Sequence, residues 1–211
     1  MIIWFRYGVI LSAVLCLSLL IYLIIKTFSF GTPALNALAS GSRKKGVFFA
    51  FGGGMMPWEK ESAKKHLLTY GAGIIYHAGI FAAFLYLFLD LFSVKTSLYL
   101  DRIFMVLMAS SLVCGMGLLF KRSLLKYMRA ISSPDDFVSN TLVDLFLIFS
   151  LFHTFGLQVR TLWYAAAVLL FLYIPLGKIR HCFFFFYARI LFGSFYGRRG
   201  VYPPRQPSSF E

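Results

Sequence analysis

Charged residues, and acidic residues above all, are scarce in this sequence. Only 8 of its 211 residues are Asp or Glu, charged residues make up 14% of the chain, and hydrophobic residues make up 59%. A soluble domain carries about 25% charged residues and about half apolar residues. The composition therefore excludes an ordinary soluble globular domain and predicts an integral membrane protein.

Cysteine is also rare. The chain has Cys16, Cys114 and Cys182, with no CxxC spacing, so neither a disulfide framework nor a thiolate metal site is indicated. The glycine-rich segment Gly52-Gly53-Gly54 lacks the following Gly-Lys-Ser/Thr of a phosphate-binding loop. These absences indicate that a functional site lies in the apolar segments.

Five apolar stretches are long enough to cross a hydrocarbon core of roughly 30 Å. They are Tyr7–Ile25, Leu67–Phe92, Ile103–Phe120, Thr141–Leu157 and Leu162–Lys178. We therefore expect an all-α bundle of five transmembrane helices. Residues 1–188 would form this membrane domain, and residues 189–211 a cytoplasmic C-terminal tail.

The basic residues are distributed unevenly between the two predicted faces of the membrane. Of the 21 Lys and Arg residues, seventeen fall in the two loops and the C-terminal part that share one face, and four fall on the other. Positively charged loops stay in the cytoplasm. The protein should therefore be a multi-pass protein of the cytoplasmic (inner) membrane, with its N-terminus outside and its C-terminus inside, and the charge indicates lipid rather than nucleic acid.

All four histidines lie within or at the ends of apolar stretches: His66, His77, His153 and His181. A polar ring in hydrocarbon is costly unless it has a partner, so an intramembrane histidine indicates function. A neutral imidazole is also a good axial ligand for haem iron. The histidines therefore predict a haem protein.

Estimated depths match these histidines in pairs. His77 follows His66 by eleven residues, which is about 16 Å along a helix and close to three full turns. His153 follows Thr141 by twelve residues, about 18 Å from the same face, and His181 lies at the inner boundary like His66. The pairs His66 with His181 and His77 with His153 would each hold one six-coordinate b haem, so two haems are expected.

A quinone site requires an apolar slot and polar groups that exchange protons with the headgroup. Asp90 and Lys95 lie at the outer end of the second span. We take them as the candidate quinone-binding residues.

Two segments are similar to a known family. The run from Met56 to Ser62 (MPWEKES) leads into His66 and His77, and the run from Tyr173 to Lys178 (YIPLGK) precedes His181. With the five-span plan they resemble the gamma subunit of respiratory nitrate reductase and the related membrane cytochromes of heterodisulfide reductase and of sulfite-reduction complexes. The resemblance implies a di-haem cytochrome b that transfers electrons between (mena)quinol and a cytoplasmic iron-sulfur subunit, with these three histidines as axial ligands.

The sequence departs from this family at one ligand. Trp163 stands where the family carries its remaining axial histidine, which leaves His153 as the substitute or leaves only the inner haem. Two other functions stay open: a haem-free membrane anchor of a larger complex, and a small transporter whose histidines relay protons. The expected role is an electron-transfer subunit, and the sequence does not decide whether the chain is itself an enzyme.

Overall fold

The structure is a computed structural model, and it describes residues 2–31 and 35–204. Over these residues it is 80% helix, without strands. The α-helices are α1 (Ile2–Phe28), α2 (Arg43–Phe51), α3 (Glu61–Lys65), α4 (Leu67–Leu91), α5 (Leu98–Leu124), α6 (Lys126–Ala130), α7 (Pro134–Thr154), α8 (Arg160–Tyr173) and α9 (His181–Arg198). The predicted all-α fold is confirmed for this part of the chain.

Four of the helices are long and apolar enough to cross a membrane: α1, α4, α5 and α7. They correspond to the first four predicted spans. The fifth predicted span is interrupted, because α8 has 14 residues and ends at Tyr173. The interruption coincides with Pro175, which cannot donate a backbone hydrogen bond, and with Gly177. A fifth span exists only if α8 and the next helix are counted as one broken span.

The chain divides into two compact units. Unit 1 contains residues 1–20 and 68–180, and unit 2 contains residues 21–67 and 181–211. The expected boundary between residues 188 and 189 falls inside α9, which continues to Arg198. Residues 205–211 of the expected tail lie outside the described residues.

Unit 1 has an aromatic and aliphatic core. Trp163, Phe146 and Leu87 are among its fully buried side chains. Helices α4 and α5 come close together at Gly79, where an added Cβ would collide with Ser111 and with the Leu107 carbonyl. Small residues permit such close helix crossings in membranes.

The N-terminus of α7 is fixed by polar residues. Pro134 occupies the first turn, and the Asp136 carboxylate accepts a hydrogen bond from the backbone N–H of Ser133 at 2.8 Å. Proline suits this position because its missing N–H would have no partner there. Helix α7 thus begins seven residues before Thr141, where the predicted span begins.

Unit 2 is built on a glycine contact between α2 and α9. An added Cβ at Gly46 would collide with the backbone of Gly193 and Gly197. Tyr187 of α9 is hydrogen-bonded to Thr27 at 2.7 Å. Phe51 of α2 packs against Phe185 and Phe186 of α9, whereas Phe48 is 84% exposed.

Candidate functional site

A carboxylate near the end of α4 joins three helices of unit 1. Asp90 accepts hydrogen bonds from the Arg160 guanidinium at 2.9 Å and from the Tyr164 hydroxyl at 2.5 Å, both on α8. Nε2 of His153, on α7, lies 3.6 Å from the same carboxylate. Only 15% of the Asp90 side chain is exposed. Two groups that can carry positive charge therefore stabilise the ionised form of Asp90.

Aromatic rings hold His153 in position beside Asp90. Its imidazole lies on Trp163, with ring centroids 4.5 Å apart and planes tilted by 31°. The indole N–H of Trp163 donates to the Ser150 hydroxyl at 2.8 Å, which fixes the indole. Nδ1 of His153 is buried and has no hydrogen-bond partner among the described residues. Nε2 is therefore the imidazole nitrogen that faces a polar group.

Asp90 lies at the wall of a cleft of about 660 Å³. Ligand pockets commonly measure about 300–1,000 Å³. The cleft, called the Asp90 cleft below, is lined by Ile2, Ile3, Arg6, Tyr86, Leu89, Asp90, Ser93, Val94, Lys95, Thr96, Arg160 and Tyr164.

The lining of the Asp90 cleft combines hydrogen-bond donors, one carboxylate and apolar side chains. Arg6 donates to the Leu91 carbonyl, and Arg160 to Asp90. Cations and phenols can donate to a carbonyl oxygen, while a carboxylate can accept a proton from a hydroxyl. The arrangement suits a small ring with oxygens at both ends and an apolar tail.

Both candidate quinone residues lie in this cleft. Asp90 and Lys95 were selected because they are polar and end an apolar segment, and the structure brings them together on one cleft. The sequence did not identify Arg6, Arg160 or Tyr164 as neighbours, because they come from α1 and α8. No local pattern reports contacts between helices that are distant in sequence. Quinone binding by Asp90 and Lys95 stays a prediction.

His153 does not lie at the depth of His77. His153 contacts Asp90, which follows His77 by thirteen residues on α4. Thirteen residues correspond to about 20 Å along a helix. The prediction that His77 and His153 lie at one level is therefore wrong.

The error comes from where the helix was expected to begin. A count from Thr141 underestimates how far His153 lies from the start of its helix, because α7 begins at Pro134. The first two turns carry polar residues, among them Asp135, Asp136 and Asn140, and an apolar window excludes them. Iron ligation by His153 stays a prediction, and its Nε2 faces a carboxylate.

His77 has surroundings that fit an axial ligand. Its Nδ1 donates to the Gly73 carbonyl at 2.7 Å, so the neutral ring carries its lone pair on Nε2. Metal-bound histidines adopt this arrangement, because a hydrogen bond at one nitrogen sets the tautomer and the ring orientation. Open space lies beside Gly71 and Gly73, where a Cβ would contact nothing within 4 Å. A flat macrocycle could approach the helix backbone there.

The other two predicted ligands belong to unit 2. His66 ends α3, His181 begins α9, and both are exposed. Within residues 2–31 and 35–204, no group of three or more His, Cys, Asp or Glu side chains could hold a metal ion. A six-coordinate haem requires only two histidines, so the predicted roles of His66 and His181 stay untested.

No protein-family model, no curated protein and no solved structure matches this chain.

Proposed function

We propose that this protein is the membrane subunit of a quinol-linked oxidoreductase, a b-type cytochrome whose Asp90 cleft binds the quinol headgroup. One observation carries the proposal. A carboxylate with an imidazole 3.6 Å away and with phenol and guanidinium donors opens onto a 660 Å³ cleft at the end of apolar helices. Apolar slots with a few convergent polar groups are typical of small-molecule sites.

The residues of the cleft can support quinol oxidation. Conversion of one quinol to quinone releases two electrons and two protons. Asp90 would accept one headgroup proton and pass it to His153, whose ring would become an imidazolium. The restored Asp90 carboxylate would then accept the second proton. Arg160 and Lys95 would stabilise the negative charge that develops on the headgroup oxygen.

Two b haems, each a one-electron acceptor, would supply the capacity for the two electrons of this reaction. The tautomer of His77 and the open space at Gly71 and Gly73 support ligation of one haem by His77. His66 and His181 remain the other proposed ligands, by resemblance to the family. The neighbours of His153 favour a role in proton transfer over ligation, which would leave His77 as the only histidine ligand of its haem and that haem five-coordinate.

Unit 2 is the proposed docking surface for a cytoplasmic iron-sulfur subunit. Phe48 is largely exposed on α2. Basic residues are concentrated in this unit: Arg43, Lys44 and Lys45 begin α2, and Lys64 and Lys65 end α3. An exposed aromatic side chain among cations is typical of a protein interface with an acidic partner.

The test is a visible spectrum of the purified protein in lipid nanodiscs. The protein should show the α-band of low-spin b haem after reduction by dithionite, and also after addition of a quinol. The variant His77→Ala should lose a haem. His153→Gln should keep every haem, accept electrons from dithionite, and accept them from quinol much more slowly.

Each failure has its own meaning. A colourless, folded preparation that still binds quinone would exclude the cytochrome and favour the anchor alternative. Loss of one haem in His153→Gln would instead establish His153 as the substitute ligand for the position of Trp163. A quinol that does not reduce an intact haem would remove the quinol site from the proposal.

A further inference from the structure

A second buried carboxyl group lies in the interior of unit 1, apart from the Asp90 cleft. Asp144, in the middle of α7, is 5% exposed. Its Oδ1 accepts a hydrogen bond from Tyr76 of α4 at 2.9 Å, and its Oδ2 has no hydrogen-bond partner among residues 2–31 and 35–204. An added Cβ at Gly115 of α5 would collide with Asp144 and Tyr76. We refer to Asp144, Tyr76, Asn140 and Gly115 as the Asp144 cluster.

Oxygen acceptors outnumber donors in the Asp144 cluster. The single hydroxyl proton of Tyr76 is shared between Asp144 at 2.9 Å and the side-chain oxygen of Asn140 at 2.7 Å. The amide of Asn140 donates to the Gly115 carbonyl at 3.1 Å. An ionised carboxylate has about four acceptor sites, and burying one with a single shared donor is very costly. Protonation of Asp144 adds one hydrogen-bond donor and so removes the shortage of donors in the cluster.

No charged group compensates Asp144 in place of a proton. On its own helix, Asp136 is paired with Arg122 of α5 and with Lys178, and Asp135 accepts from Tyr173 of α8. None of the described residues forms an ion pair with Asp144. The facing contributions from α4 and α5 are the neutral Tyr76 hydroxyl and the Gly115 backbone.

A line of polar residues connects Asp144 with one end of α7. Asp136, Asn140 and Asp144 are spaced by four residues, so they follow one face of the helix and span about 12 Å. Asp136 lies beside Lys178, whose side chain is 53% exposed. The line therefore runs from a solvated end of the helix to the buried carboxyl group.

We propose that Asp144 is an intramembrane proton-binding site, protonated at neutral pH, which exchanges its proton along the polar face of α7 that it shares with Asn140 and Asp136. When the proton binds, the Asp144 carboxylate becomes a neutral carboxylic acid. When the proton leaves along the same polar face of α7, the carboxylate is restored. This site is separate from the Asp90 cleft and does not depend on the haem.

The test is infrared spectroscopy of the protein in nanodiscs at neutral pH. A carbonyl band of a protonated carboxyl group should be present, should shift in D₂O, and should be lost in Asp144→Asn. In the control Asp101→Asn the band should remain, because Asp101 has its own partner in Thr96 at 2.5 Å. If Asp144→Asn does not fold, Tyr76→Phe assigns the band: loss of the hydroxyl should shift it to higher frequency.

The exchange route has a separate readout. Asn140→Leu should keep the band and slow its shift in D₂O several-fold, whereas Asn140→Ser, which keeps a polar group, should exchange nearly as fast as wild type. Absence of the band at neutral pH, or equal exchange in Asn140→Leu and wild type, would overturn the proposal. A band that weakens as sodium is raised at constant pH would show a sodium site in place of a proton site.

Discussion

Two aspartates of unit 1, each on a helix long and apolar enough to cross a membrane, have opposite surroundings. Asp90 has Arg160 at 2.9 Å, His153 at 3.6 Å and the Tyr164 hydroxyl. Asp144 shares one phenol proton and has an oxygen without a partner in the part of the chain that the structure describes. Because the protonation state of a buried carboxyl group follows its partners, the first is suited to stay ionised and accept protons, and the second to hold one. The difference between the two aspartates therefore comes from the cationic side chains beside Asp90, more than from the position of either aspartate along its helix.

The largest expected effect is that of Asp90→Asn on electron transfer from quinol. The amide cannot accept the headgroup proton, so the rate of quinol-driven haem reduction should fall by about 100-fold or more. Stopped-flow absorbance measures this rate, with dithionite reduction as the check that the haem is intact. Asp101→Asn is the matched control, since Asp101 does not line the Asp90 cleft. An unchanged rate in Asp90→Asn would exclude Asp90 as the proton acceptor.

The next effect concerns the stability of the Asp144 cluster. Gly115→Ala should destabilise the protein by about 1–3 kcal/mol, because the methyl group has no room beside Asp144 and Tyr76. Gly117→Ala, two residues along α5, meets nothing within 4 Å and should stabilise the helix by about 0.5–1 kcal/mol. Thermal unfolding in one detergent compares the two. Equal shifts for both variants would show that Gly115 is not the close contact.

The smallest effect should come from Asp144→Asn. An amide replaces a carboxyl group that is already neutral, so stability should change by less than about 1 kcal/mol. A loss of several kcal/mol, as on removal of one member of a buried ion pair, would indicate an ionised and paired Asp144. Denaturant unfolding of Asp144→Asn, compared with that of Asp90→Asn, decides between these outcomes. Asp90→Asn should be the less stable of the two variants.

Hydropathy alone was enough to predict most of the fold. The first four apolar stretches correspond to α1, α4, α5 and α7, because a spanning helix needs a continuous apolar run. The fifth stretch looked equally apolar, yet α8 ends at Tyr173. A window that averages hydropathy does not register the local effect of Pro175. The orientation stays a prediction from the distribution of charge.

The sequence predicted only those features of the candidate sites that depend on the residues of a single helix. Asp90 and Lys95 stood out as polar residues at the end of an apolar segment. Their partners were not predictable, because Arg160 and Tyr164 reach Asp90 through packing between helices. The depth of His153 failed for a related reason: the polar first turns of α7 belong to the helix, although they are not apolar.

The central claim, quinol binding in the Asp90 cleft, is tested most directly by a photoreactive quinone analogue in nanodiscs, with the label located by peptide mass spectrometry. Labelling should fall on residues 2–6, 86–96 and 160–164, which include the lining of the cleft. Excess natural quinone should suppress it, and Asp90→Asn should reduce it. A displaceable label confined to other parts of the chain, with these segments unlabelled, would contradict the account.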